Sequence, residues 1–257
     1  VGRHRRDRYR LELLLGLAVV VAGVGLVVLD GRGADDRAAT TASSPAEPSA
    51  SPGRDADPGE RRAAEEDAED DGSRPVLLRS VEDEVKDGSG DLTVVPGESA
   101  VVGEGPLKRY MVEVEEGLPG KPEDFAAAVE EILGDERSWI GGGDLSMQRV
   151  DSGPVDFRVT LAAPDTTDAL CAPLQTMGYV SCHQGGRSVI NQNRWVSGVD
   201  HFDDDLETYR IYVINHEVGH ALGHGHVSCP GSGEPAPVMQ QQTLGLDGCA
   251  ASGWPHP

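Results

Sequence analysis

Apolar and polar positions divide the chain into stretches of different character. Leu11 to Leu29 is an apolar run broken only by Glu12, and the ten residues before it are rich in arginine. From residue 30 to about 87 the periodicity disappears, and Ala, Ser, Pro, Asp, Glu and Arg dominate. Val76-Leu77-Leu78 is a small apolar island in that stretch that the pattern does not place. Beyond it, Leu107 to Glu115 alternates around Tyr110, Val112 and Val114, which predicts a strand. Pro122-Glu123-Asp124 opens a helix over 123–133. Proline suits the first turn, the acids suit the positive end, and Phe125, Val129, Ile132 and Leu133 form an apolar stripe ended by Gly134. Met147–Val150 and Val155–Leu161 read as strands joined at Ser152-Gly153, with weaker strands at Tyr179–His183 and Ser188–Val196. Asp203 to Asp205 begin a long helix through Leu222, with Asp204 as the cap and Glu207 three residues on. The segment after His226 is full of Gly and Pro and carries no periodic signal.

Strands and helices in this order predict an α+β domain over 88–257. About 170 residues are enough to bury roughly 70% of their extended-chain surface in one core. The net charge of −22 argues against nucleic acid as a partner. Aromatics are 4% of the chain, and residues 63–71 are a block of negative charge, so 30–87 reads as a disordered acidic linker. The run over 11–29 is longer than the apolar region of a secretory signal and lies within the range of a spanning helix. It is read as a retained transmembrane signal anchor. The basic residues 1–10 then form a cytoplasmic tail and the rest of the chain lies outside the cytoplasm. A cleaved signal, giving a secreted domain, is the alternative. Four cysteines in an exported domain suggest two disulfides. Of the three connectivities, Cys171–Cys182 and Cys229–Cys249 are favoured as nearest neighbours in sequence; each such loop is worth ~3 kcal/mol on the chain-entropy model. Zinc ligation by these cysteines is the rival reading, weakened by the lack of any C-x-x-C pair.

The candidate chemistry lies in His216-Glu217-Val218-Gly219-His220-Ala221-Leu222-Gly223-His224-Gly225-His226. This is H-E-x-x-H-x-x-G-x-x-H, a pattern that chance would place in roughly one chain in ten thousand of this size and composition, so it is read as a site. Residues i and i+4 share a helix face, so His216 and His220 can hold one zinc ion. A third ligand requires the chain to leave the helix and double back, which Gly223 permits, and His226 then returns. Three protein ligands leave a position for water, the pattern of a catalytic zinc rather than a structural one. Glu217 is the expected general base and acid, acting on the zinc-bound water and then on the leaving amine. The leading reading is a zinc-dependent endopeptidase. A non-catalytic, zinc-stabilised envelope binding protein and a zinc amidase acting on cell-wall bonds are the alternatives. The partners expected are a protein or peptide substrate and, through residues 11–29, a membrane.

These residues resemble the metzincin clan of zinc endopeptidases. The clan's second mark is a methionine in a tight turn beneath the metal, and Met239 in Pro237-Val238-Met239-Gln240 is the candidate, a structural floor rather than a ligand. The chain departs from parts of the clan: Val227 follows the third histidine where several families have Ser, Asp or Glu, no Tyr follows Met239, and no cysteine before Cys171 could serve a thiol latency device. A closer resemblance, over about 88–257, is to an uncharacterised family of zincin-like, envelope-exposed proteins of high-GC bacteria. It rests on Leu92–Gly97, Arg109-Tyr110, Arg137-Ser138-Trp139, Asn193-Arg194-Trp195, Tyr209-Arg210, Asn215-His216-Glu217 and Ala236–Thr243. That family supports the fold and the zinc and supplies no substrate. The metzincin resemblance implies a twisted mixed sheet backed by two helices with an irregular C-terminal tail, and a cleft between the zinc helix and an edge strand, expected near Cys182, alongside which an extended peptide can add.

Other candidates are read more plainly. His224 is off the ligand spacing and is expected to face solvent, and His183, His201 and His256 are expected to be ordinary histidines. Trp139, Trp195 and Trp254 are expected to pack rather than to bind substrate. Asn215 could orient a neighbouring group or sit on the helix flank. Asp203–Asp205 read as a helix start and not as a calcium loop.

Overall fold

In the computed structural model, which describes residues 73–80 and 83–257, strand β3 (Leu107–Glu115) forms the axis of the sheet. Its alternation places Tyr110, Val112 and Val114 on one face, and all three are buried. Met111, Glu113 and Glu115 on the opposite face are buried as well. Around β3 stand β1 (Leu92–Val94), β2 (Val102–Gly103), β4 (Ser146–Arg149), β5 (Phe157–Ala162), β6 (Cys182–Gln184) and β7 (Arg187–Asn191). The order is β2-β4-β3-β5-β7-β6, and β1 pairs with the end of β3. The central pairings β4–β3, β3–β5 and β5–β7 are parallel, while β1, β2 and β6 add antiparallel. The result is a mixed seven-stranded sheet with β6 at one edge.

Four helices accompany the sheet among the described residues: α1 (Pro122–Gly134), α2 (Pro164–Cys171), α3 (Gln192–Ser197) and α4 (Leu206–Ala221). The α+β expectation holds. The stripe Phe125, Val129, Ile132 and Leu133 of α1 joins Tyr110, Val112, Val114 and, from α4, Ile214 and Val218 in the main core. Helix α2 was not expected, although Pro164 in its first turn and Asp165 behind it are start signals. Its Cys171 packs with Ala162, Cys182 and Val189 in a separate small cluster on the other face of the sheet.

Three boundaries differ from expectation. The strand expected over Ser188–Val196 ends at Asn191, because the Asn191 side chain accepts from the backbone N–H of Asn193 at 3.0 Å and starts α3. Helix α4 is capped by Asp205, whose Oδ1 accepts from Thr208 N–H at 2.9 Å, and not by Asp204. Asp203 and Asp204 lie in the left-handed region, with φ of 52 and 64°, and so precede the helix. The folded region also starts before residue 88. Leu77 is buried in the main core, and the acidic linker expected through residue 87 therefore runs into the domain. The expected cytoplasmic tail (1–10), transmembrane anchor (11–29) and most of that linker lie outside the described residues. Among the described residues, no helix is long and apolar enough to cross a membrane.

Buried polar side chains hold the margins. Glu113 receives the Nε groups of Arg158 at 3.0 Å and Arg187 at 2.9 Å, and Thr160 Oγ1 at 2.9 Å. Glu115 accepts from Gly90 N–H, Ala163 N–H and Thr166 Oγ1 at 2.6–2.7 Å, placing a carboxylate at the positive end of α2. The N-terminal segment is strapped down in the same way. Gln192 and Asn193 side chains both accept from Val85 N–H. Arg210, fully buried in α4, donates to Leu77 O at 3.0 Å, Arg79 O at 2.8 Å and Trp195 O at 2.7 Å, and stacks on Trp195.

Arg210→Met keeps the apolar stem and removes all three bonds. Leaving buried carbonyls unpaired costs on the order of 3 kcal/mol in all. Denaturant unfolding is expected to report that loss, and limited proteolysis is expected to cut first between residues 73 and 88. A variant as stable and as resistant as the wild type would show that Arg210 is not the clamp.

Candidate metal centre

Helix α4 is buried along most of its length, from Tyr209 to Gly219, with the sheet on one side and the C-terminal tail on another. Its end is a Schellman turn. Gly223 takes φ of 94°, His224 N–H donates to Gly219 O at 2.9 Å, and Gly223 N–H donates to His220 O at 3.0 Å. The left-handed residue turns the chain back, as the spacing required. His226 returns to α4, and the ligand nitrogens of His216, His220 and His226 all lie within 4.8 Å of one another. His220 Nε2 and His226 Nε2 are 3.0 Å apart.

Carbonyls fix two of the rings. His216 Nδ1 meets Val238 O at 2.8 Å, and His220 Nδ1 meets His224 O at 2.9 Å. A carbonyl can only accept, so each Nδ1 carries the proton and each Nε2 presents a lone pair. His224 is thereby given a role that spacing did not reveal. It is no ligand, but its backbone orients His220, and its ring stacks on Trp139 at 4.4 Å. Trp139 donates from Nε1 to Asn215 O at 3.0 Å, so it packs as expected and ties α4 to this loop. Asn215 is fully buried and not on a solvent flank. It accepts from Ser138 Oγ at 2.7 Å and donates to Gly253 O at 3.0 Å.

Met239 sits in a tight turn closed by Gln240 N–H to Pro237 O at 2.9 Å, and its buried side chain lies against Gly219. A Cβ at Gly219 would fall 2.6 Å from Trp139 Cζ2 and closer still to Met239 Sδ. Both disulfides have the nearest-neighbour pairing. Cys229–Cys249 closes the loop that carries Met239, and Cys171–Cys182 ties α2 to β6. The cysteines are therefore not zinc ligands.

The centre opens on a cleft of about 390 Å³, lined by His216, Glu217, His220, His226 and Tyr212 from one side and by Thr176, Cys182 and His183 from the other. The edge strand expected near Cys182 is β6, and it forms that second wall. Glu217 is buried, and its Oε2 has no hydrogen-bond partner among the described residues. Burial pushes its carboxyl from 4.5 up to about 8 and pulls His216 from 6.5 down to about 3. Burial, and then the neighbouring His220, also lowers His226. His183 is not an isolated surface residue: it lines the cleft. His201 bonds Gln242 O at 2.6 Å and braces the tail. Trp195 is buried against Phe125, and Trp254 carries Arg137 on its face. Asp203–Asp205 serve the start of α4.

The chain belongs to the DUF3152 family, described as a protein of unknown function. The family model matches residues 80–252 and so takes in most of the folded region and every residue of the centre. No curated protein and no solved structure matches the chain.

Gly219→Ala is expected to displace Met239 and with it the Val238 carbonyl that holds His216. Overpacking of this kind costs about 1–3 kcal/mol, and losing the orienting carbonyl weakens metal binding about 10–100-fold. Thermal melting and zinc titration of the variant check both; unchanged zinc affinity would disprove the coupling. In the metal-free domain, the unfolded chain carries an extra proton at His216 between about pH 3 and 6.5, so that contribution to stability is lost on acidification. At Glu217 the folded chain carries the extra proton between about pH 4.5 and 8, so that contribution is lost as pH rises. The two slopes oppose each other in the overlap. Chelator-treated domain is expected to melt highest near pH 5–6 and lower at pH 4 and pH 8; a melting temperature that climbs steadily from pH 4 to 8 would contradict the burial of Glu217.

Proposed function

We propose that the chain is a zinc-dependent endopeptidase of metzincin type that acts outside the cytoplasm, with residues 11–29 as its membrane anchor. The observation that carries this reading is the unpartnered, buried Glu217 Oε2 in a cleft shared with three imidazoles. The donor set fits zinc: neutral imidazoles, two of them with Nε2 aimed inward by carbonyls on Nδ1. A structural site would call for a fourth protein ligand and no base. The tight turn at Met239 against the metal-side helix and the mixed sheet with an antiparallel edge strand favour the metzincin arrangement. Two disulfides suit an oxidising compartment.

In this reading His216, His220 and His226 hold the metal. Zinc there supplies a Lewis acid for the scissile carbonyl and lowers the pKa of water to about 7. Glu217 takes the proton of the attacking water and passes it to the departing amine, so no acyl-enzyme forms. The free side of β6 offers backbone groups to an extended peptide, and the exposed Leu174 and Leu244 border its path.

Glu217→Gln is expected to keep one zinc per chain and to lose about 10²–10⁴-fold in kcat, the usual worth of a positioned acid–base group. The measurement is metal analysis of the purified protein beside turnover of a quenched peptide library, with and without a chelator. Wild-type turnover that survives the substitution would remove Glu217 from the reaction. Zinc-dependent cleavage of purified wall fragments, with peptides untouched, would replace the endopeptidase by an amidase.

A further inference from the structure

Four imidazoles, not three, face the cleft. His183 comes from β6, the wall opposite α4, and its ligand atoms are not part of the converging trio. Its surroundings fix its chemistry. Ser188, across from it on β7, is fully buried. Ser188 Oγ lies 2.8 Å from the backbone carbonyl of Glu217 and 3.1 Å from His183 Nδ1. The hydroxyl has one proton, and the carbonyl can only accept, so that proton goes to Glu217 O. The contact with His183 must then run the other way, from Nδ1–H to Ser188 Oγ. The neutral ring therefore carries its lone pair on Nε2, the nitrogen turned away from Ser188, which has no hydrogen-bond partner among the described residues.

We infer that His183 is a substrate-positioning residue, whose Nε2 accepts a hydrogen bond from a backbone N–H of the peptide bound between β6 and α4. The reasoning rests on the endopeptidase reading for the substrate class, and on geometry alone for the acceptor. A strand lying along β6 pairs every second amide with that edge. An amide that leaves the edge to cross the cleft toward α4 loses its sheet partner, and a buried N–H left unpaired costs about 1–3 kcal/mol. His183 stands on the β6 wall of that cleft, where its Nε2 can take up such an amide. Through Ser188 its position is tied to the peptide unit of Glu217, so the acceptor and the base are held in one frame.

The test uses the zinc-loaded protein with His183→Phe, which keeps a flat ring without the acceptor, and His183→Gln, which restores an acceptor oxygen. With peptides from the quenched library, His183→Phe is expected to raise KM about 10-fold with kcat changed far less, and His183→Gln to recover part of the loss. Zinc affinity is expected to stay at the wild-type value in both, which separates positioning from damage to the centre. Binding of the same peptides to the Glu217→Gln protein is expected to weaken about 10-fold on adding His183→Phe. Nitrogen NMR of the metal-free wild type is expected to show His183 protonated on Nδ1, and Ser188→Ala to release that preference. Equal KM for His183→Phe and wild type, or a proton found on Nε2, would overturn the inference while leaving the endopeptidase reading intact. Peptides that bind in a His183-dependent manner but are never cut would keep the inference and defeat that reading. A protein that neither binds nor cuts them would defeat both.

Discussion

A single helix can present two ligands to one ion and no third, because the next turn carries the following side chain past the metal. The centre therefore depends on how α4 ends and returns. The Schellman turn at Gly223 reverses the chain, and the same reversal places the His224 carbonyl under His220 Nδ1. One backbone event thus delivers one imidazole of the cluster and orients another. Trp139 stacks on His224 in the turn, and the Trp139 indole is itself tied to Asn215 of the helix.

His216 is held by more distant parts of the chain. Its orienting carbonyl belongs to Val238, in a tail without regular secondary structure. That tail is built by side chains doing what strands do elsewhere. Gln240 Nε2 donates to Leu246 O, Gln242 Nε2 donates to Ser252 O, and Gln242 Oε1 accepts from Ser252 N–H. Tyr212 of α4 donates to Gln240 O, and Tyr209 bonds Thr243. With Cys229–Cys249 closing the loop, the turn carrying Val238 and Met239 is docked with the Met239 side chain against Gly219, where an added Cβ would clash with Met239 Sδ and Trp139. The geometry of the three imidazoles is thus a property of tertiary docking as much as of helix spacing.

The difference in range explains what could be read from the sequence. The convergence of His216, His220 and His226 is legible because it spans one short motif whose period matches a helix turn and a glycine break. The disulfides are legible because each joins neighbours along the chain. The stripe on α1 and the alternation of β3 are legible because one face of each meets the core. Arg210 reaching back to Leu77 leaves no local trace, and so the pattern around Leu77 reads as an island in a linker. The bonds of Gln240 and Gln242 likewise have no periodicity. Helix α2 is announced only by Pro164-Asp165, because its eight residues bury only one side and show no long stripe. At Asn191 a β-rich run concealed a cap, and local side-chain chemistry ended the strand where propensity would have continued it.

Among the described residues, three glutamates are buried: Glu113, Glu115 and Glu217. Glu113 is met by two guanidinium groups and a hydroxyl, and Glu115 by two backbone amides and a hydroxyl at a helix start. Those acids belong to the fold, since each oxygen has a protein donor. Glu217 sits in the middle of a buried helix face, beside Asn215 and His216, and its Oε2 has none among the same residues. A sequence shaped only for stability would place an apolar side chain there, because an unpaired buried acid is costly. Local rules that are kept at Glu113 and Glu115 and broken at Glu217 distinguish structure from chemistry within one chain. Among the described residues no donor answers Glu217 Oε2, and Glu217 lines the cleft where His216, His220 and His226 converge.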